Sequence, residues 1–236
     1  MFDENILDSK VNILEFIKSN NSSDKLFSSN NYCEKNVIFI GDKASGKTTI
    51  FNSLFNTSKE KFNTTSNSNN ENLQYNQTCG INYNYYKGSI KEINKKVIIN
   101  GYEIGGGISN ANLLSTILNK QISIKNSNNN NDNNNDNNND NLTDTILEID
   151  ILNKLLIVLV FDLSQPYNFI NSLKSFTKSI SNTLLDSFKK ETLLEFTNNK
   201  KSKLNILDNN KEAYSIFPAN IIMICNKFDK FEKYDM

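Results

Sequence analysis

The stretch "VIFIGDKASGKTTI", residues 37–50, decides how the chain is read. It opens as a short apolar run ending in glycine, the signature of a strand buried on both faces. It closes in "KTTIFNSLFN" (47–56), where Ile50, Leu54 and Phe55 fall at helical spacing. Between strand and helix, "GDKASGKTT" (41–49) fits G-x-x-x-x-G-K-[ST], a loop that wraps a phosphate. Gly41 and Gly46 let the backbone curl. The N–H groups of the loop, from Gly41 through Asp42, Lys43, Ala44, Ser45 and Gly46 to Thr49, donate to the anion together with the helix N-terminus. Lys47 sets a cation against the β- and γ-phosphates, and the Thr48 hydroxyl can ligate Mg²⁺. A chance glycine turn explains neither Lys47 nor Thr48.

Working outward, "GINYNYYKGS" (80–89) and "KKVIINGYEI" (95–104) alternate as strands and pair as a hairpin. Leu113, Leu114, Ile117 and Leu118 mark a helix. "LLIVLVFDLS" (155–164) is apolar on both faces, which predicts a central strand of a parallel sheet. Pro166 opens a helix to about Lys190, with Phe169, Leu173, Phe176, Ile180, Leu184 and Phe188 on one stripe. A polar loop then leads to "ANIIMICNKFD" (219–229), a further buried strand. Strands alternating with helices predict an α/β fold, a three-layer sandwich around a mostly parallel sheet. The domain spans 36–236. Residues 1–31 precede it as an amphipathic helix over 2–18 and a polar linker. Asn-rich insertions at about 57–77 and 126–141 cannot bury a core and are expected to be disordered.

Composition narrows the function. The 236 residues carry 26 basic and 26 acidic side chains, a net charge of zero, which argues against a nucleic-acid surface or a polybasic membrane anchor. The start, "MFDENILDSK", has no signal-peptide character, and no stretch approaches the length of a membrane span. Cys33, Cys79 and Cys225 form no CxxC pair and read as reduced thiols. The chain has no histidine, so imidazole base catalysis and HExxH metal sites are excluded. The many asparagines look like a compositional bias, and triplets such as Asn63-Thr64-Thr65 are read as chance.

Two further stretches carry chemistry. "NKFD" (226–229), at a strand end, fits the guanine motif N-K-x-D. Asp229 would accept hydrogen bonds from guanine N1 and N2, Asn226 would face the N7 side, and the Lys227 stem would lie along the base. Adenine would leave Asp229 unpaired, a mismatch worth factors of about 10⁴. The competing reading is a solvated strand-end loop. In "YEIGGGIS" (102–109), "EIGG" stands where a D-x-x-G would bind a γ-phosphate, with Thr78 as the threonine that senses it. Gly106 keeps the backbone N–H for that phosphate. Glu103 replaces Asp, moves the carboxylate outward and is expected to disturb a water-bridged Mg²⁺ contact, so Thr48, Thr78 and Glu103 form the candidate metal set. Gly107 falls where a Ras-like enzyme has the glutamine that orients water. No catalytic residue is assigned.

Together, "VIFIGDKASGKTTI", "YEIGGGIS", "LIVLVFDLSQPYNFINSLKSFTKSI" and "FPANIIMICNKFDKFE" resemble the light intermediate chains of cytoplasmic dynein, in the dynein-2 form that serves cilia. The family pattern E-L-G-G-G appears here as Glu103-Ile104-Gly105-Gly106-Gly107, and D-L-S-[KQ]-P as Asp162-Leu163-Ser164-Gln165-Pro166. The triple glycine favours the dynein-2 form. The resemblance implies a Ras-like domain in a non-motor subunit. It implies binding to the dynein-2 heavy chain beside other dynein subunits, with only indirect contact to microtubules, in retrograde intraflagellar transport. It places the protein in the cytoplasm and cilium, at axoneme and basal body. "NKFD" departs from the family's usual S-K-x-D and raises the expectation of bound GTP or GDP with Mg²⁺. The sequence stops just after this motif, so a C-terminally truncated domain is expected. The alternatives are a regulatory GTPase of the Ras or Rab type, kept open by "NKFD" and Thr78, and an ATP-using P-loop enzyme, disfavoured by "NKFD".

Overall fold

The apolar runs assemble into one sheet of five strands in the order β2-β3-β1-β4-β5. The computed structural model describes residues 32–55, 78–90, 95–129, 140–203 and 216–231. In chain order the strands are β1 (Tyr32–Gly41), β2 (Ile81–Ile90), β3 (Lys95–Ile104), β4 (Leu155–Asp162) and β5 (Asn220–Asn226). The helices are α1 (Lys47–Phe55), α2 (Leu113–Asn129), α3 (Asp140–Lys154), α4 (Pro166–Ser187), α5 (Lys190–Lys203) and the single turn α6 (Phe228–Phe231). Strands β3, β1, β4 and β5 run parallel, and β2 joins antiparallel to β3 as the expected hairpin. The N-terminal helix over 2–18 and the insertion at 57–77 lie outside the described residues.

The continuous apolar runs have a direct cause. In β1, Val37 and Phe39 face α1 while Ile38 and Ile40 face the α2–α5 side, and all four are buried. In β4, Leu156, Val158 and Val160 join the first cluster, whereas Leu155, Ile157, Leu159 and Phe161 join the second. A strand covered on both faces has no solvated side to alternate with. Phe51 of α1 stacks edge-on against Phe39 at 5.6 Å and lies 4.8 Å from Phe55. This packing fixes the helix whose first residues are Lys47 and Thr48.

Four expectations are corrected. Strand β4 is interior but not central, because β1 takes the middle of the sheet. Strand β5 is not fully buried: it is an edge among the described residues, and Met223 is 55% exposed. The stretch expected as a polar loop before β5 holds helix α5, and α3 stands unexpected before β4; Ile151 and Leu152 of α3, and Leu193 and Phe196 of α5, enter the core. Finally, the Asn-rich run is not wholly an irregular insertion. Residues 126–129 continue α2 and residues 140–141 begin α3, while 130–139 lie outside the described residues.

Candidate functional site

Residues 41–49 form a curled loop at the C-terminal ends of the parallel strands, where open α/β sheets place ligand sites. Ala44 and Gly46 hold positive φ, +59° and +88°. A Cβ on Gly41 would stand 1.9 Å from the Val160 carbonyl oxygen, a backbone contact that cannot yield, so only glycine fits there. The Asp42 N–H donates to that same carbonyl at 3.1 Å. The first-turn N–H groups of α1 have no intrahelical acceptors and add their dipole to the loop. Among the described residues, the buried Ser45 hydroxyl has no hydrogen-bond partner.

Lys47 is buried, and its ammonium donates to the carbonyls of Gly41 (2.9 Å) and Asp42 (2.5 Å). Two of its three N–H donors are thereby used, and the third remains with the charge. Burial lowers its pKa from the usual 10.5, against the opposing pull of Glu103 and Asp42. A desolvated cation on a curled loop is suited to a phosphate group, so the residues fit a bound nucleotide phosphate.

Glu103, at the end of β3, is 1% exposed. Its carboxylate accepts from Thr48 Oγ1 at 2.5 Å, Thr78 Oγ1 at 2.8 Å and Asn82 Nδ2 at 3.3 Å. The three residues read from sequence as a metal set therefore meet. The longer side chain of Glu, expected to push outward, instead reaches both hydroxyls at once. A hydroxyl that donates to a carboxylate keeps its lone pairs for a cation, so the set fits a hard ion completed by phosphate and water oxygens. Among the described residues no cluster of three or more His, Cys, Asp or Glu could hold a metal by itself.

The triple glycine is explained by close approach of the chain itself. A Cβ on Gly105 would lie 1.8 Å from the Thr78 carbonyl oxygen, and the Gly105 N–H donates to Gly80 at 2.8 Å. Gly106, at φ +87°, caps a short 3-10 turn over Gly107–Asn110, and Asn110 Nδ2 donates to the Gly105 carbonyl at 3.0 Å. Gly107 holds φ +70°, and a Cβ there would meet the Lys43 backbone N at 3.5 Å.

The "NKFD" residues sit beside the loop. Asn226 Nδ2 donates to the Ser45 carbonyl at 2.8 Å, and its Oδ1 accepts the Lys227 N–H at 2.9 Å. Lys227, at φ +62°, pairs with Asp162 at 2.5 Å. Asp229 is exposed on α6. Asp162 was missed as a site residue. Its oxygens also accept the Ser164 N–H and hydroxyl, at 2.9 and 2.6 Å. Burial raises its pKa, but the bonds from Lys227 and Ser164 together outweigh burial and leave it lowered. Its place at the end of a parallel strand was the available signal. On the α4 side of the loop lies a cleft of about 540 Å³ lined by Lys43, Ile108, Asn168, Asn171 and Ser172.

Residues 130–205 match the family described as dynein light intermediate chain (DLIC). That segment holds α3, β4, α4, α5 and Asp162-Leu163-Ser164-Gln165-Pro166, but neither the phosphate loop nor the glycine run. No curated protein matches. Among solved structures, the chain is similar to "Crystal Structure of the Dynein Light Intermediate Chain's Conserved Domain", at 16% identity and a TM-score of 0.50. The similarity covers 86% of this chain and 57% of that one, so the chain spans a little over half the length of its structural relative. At this identity the likeness establishes the fold, an α/β domain with a mostly parallel five-stranded sheet.

Proposed function

We propose that this chain is a non-motor light intermediate chain that supports the heavy chain of cytoplasmic dynein-2 in retrograde intraflagellar transport and cilium assembly. The observation that carries the reading is the family match over 130–205, which contains the D-L-S-Q-P segment. The dynein-2 form rests on the triple glycine at 105–107. The proposed location is the cytoplasm and cilium, at axoneme and basal body. Among the described residues no helix is long and apolar enough to cross a membrane.

Within that role the domain binds GDP or GTP and hydrolyses it poorly. The curled loop with Lys47 would hold the phosphates, Asn226, Lys227 and Asp229 the base, and Thr48 and Thr78 a Mg²⁺ ion. Such an ion supplies charge neutralisation on the phosphate oxygens. Asn226 keeps the loop in shape through the Ser45 carbonyl, and Asp162 fixes Lys227. Hydrolysis needs a group that orients water. Gly107 has no side chain to do so, and its positive φ disfavours any replacement. Supplying missing catalytic groups in such sites is worth about 10³–10⁵ in rate. The regulatory-GTPase alternative draws support from "NKFD" and from Thr78, which reaches the site through Glu103.

The test of the subunit role is purification of the tagged chain from ciliated cells and identification of the associated heavy chain. Recovery of the dynein-2 heavy chain is expected; recovery of the dynein-1 heavy chain, or of none, refutes the assignment. For the nucleotide site, binding of GDP and GTP is expected to exceed that of ATP, with negligible single-turnover hydrolysis. Rescue of ciliary transport by a well-folded Lys47→Ala variant is expected. Failure of that rescue, or turnover at ordinary GTPase rates, would favour a switch over a scaffold.

A further inference from the structure

The backbone N–H of Lys43 belongs to the loop; its side chain has no assigned role, yet its position is specific. Its side chain is exposed, and among the described residues no ion pair or hydrogen bond engages its ammonium. Its backbone N lies 3.5 Å, and its Cβ 4.0 Å, from where a Cβ on Gly107 would stand. The stem of Lys43 therefore starts beside the glycine run, within contact distance of the place a side chain on Gly107 would take. Asp42 precedes it directly and the second cation of the loop, Lys47, follows four residues later, but Lys47 is tied by two carbonyls to the floor of the loop. The site thus carries two cations with different freedom. One is tied to the floor of the loop, and the other stands exposed at the rim beside Gly107.

These two positions see different ligands. On the nucleotide-binding reading, a diphosphate would end over the loop N–H groups and Lys47, and a terminal third phosphate would reach toward the Glu103–Gly107 loop, where Lys43 begins. We propose that Lys43 is the residue by which this site tells a nucleoside triphosphate from a diphosphate, its ammonium closing over the terminal phosphate where Gly107 offers no side chain. The inference rests on the nucleotide-binding reading above. An ammonium neutralises the outer phosphate oxygens without orienting water, so Lys43 favours retention of the triphosphate and not its hydrolysis.

The test is equilibrium titration of the full chain with GDP and with a non-hydrolysable GTP analogue, at low and moderate salt, for wild type, Lys43→Ala and Lys43→Arg. An exposed side chain can be removed without unfolding, so equal melting temperatures are the control. Loss of one charge-assisted contact predicts that Lys43→Ala lowers the triphosphate-to-diphosphate affinity ratio by about ten- to a hundredfold, with GDP affinity held within about twofold. Lys43→Arg is expected to keep the ratio, and added salt to reduce the wild-type preference. An unchanged ratio in Lys43→Ala, or an equal loss for both nucleotides, overturns the role of Lys43 while leaving nucleotide binding intact. Failure of the wild type to bind either nucleotide overturns the nucleotide reading and this inference with it.

Discussion

Glu103 is the group on which three separate segments converge, so Glu103→Ala is the most informative perturbation. The carboxylate accepts hydrogen bonds from Thr48 on α1, Thr78 ahead of β2, and Asn82 within β2. It also supplies the larger of the two carboxylate fields that oppose the burial of Lys47. Hydrogen bonds to a charged acceptor are each worth about 1.5–3 kcal/mol, but they are not additive. Thr48, Thr78 and Asn82 are only half-buried, so water can replace part of what they lose. Lys47 is 6% exposed and cannot recover in the same way. Lys47 keeps its two carbonyl acceptors and the field of Asp42, so its charge loses some support but is not stranded. With these limits, the expected loss is about 3–4 kcal/mol, a large part of the ~5–15 kcal/mol that holds a domain together. Urea unfolding at pH 7, followed by circular dichroism, gives the loss from the shift in midpoint at constant slope. Glu103→Gln should fall between wild type and Ala, since the amide keeps the volume but can accept at only one atom. A loss under about 1 kcal/mol for Glu103→Ala, the scale of a solvent-exposed pair, would refute the reasoning that this carboxylate is a buried junction.

Further outcomes follow from other contacts. Gly105→Ala places a Cβ against the Thr78 carbonyl oxygen, so backbone must move; the expected cost is about 1–3 kcal/mol, read as a drop in melting temperature. Asp162 has a folded pKa below its ordinary 3.8, so its stabilisation is present above that value and lost as pH falls through the lowered one. Asp162→Asn should therefore be less stable than wild type at pH 7, with the gap closing under acid as measured by urea midpoints below about pH 4. Lys200 runs the other way, because burial lowers its pKa to about 8 while its ammonium donates to the Ala219 carbonyl at 2.7 Å. The unfolded chain then binds more protons between about pH 8 and the ordinary 10.5, so stability due to this group rises across that window, and Lys200→Met should remove the rise.

The sequence by itself determined what is local. The loop "GDKASGKTT" was legible because its glycines and Lys47 answer short-range demands of backbone curvature and charge. β1 and β4 were legible because burial on both faces leaves an unbroken apolar run, and the β2–β3 hairpin because its pattern has period two. The same logic explains the misses. Helix α5, "KETLLEFTNNKKSK", buries only Thr192, Leu193 and Phe196, too sparse a stripe to stand out from an Asn- and Lys-rich background. β5 reads as a buried strand from composition, but its exposure depends on being an edge, which only the strand order decides. The site divides in the same way. Thr48, Thr78 and Glu103 could each be named from motif position, but not the bonds among them, which join residues 55 and 25 apart in the chain. Asp162 took its role from Lys227, 65 residues away, once β4 and β5 lay side by side. Such partnerships depend on which strand ends are neighbours and on which charges are shut away from water. No spacing within one segment encodes either, so the tertiary structure alone decided them.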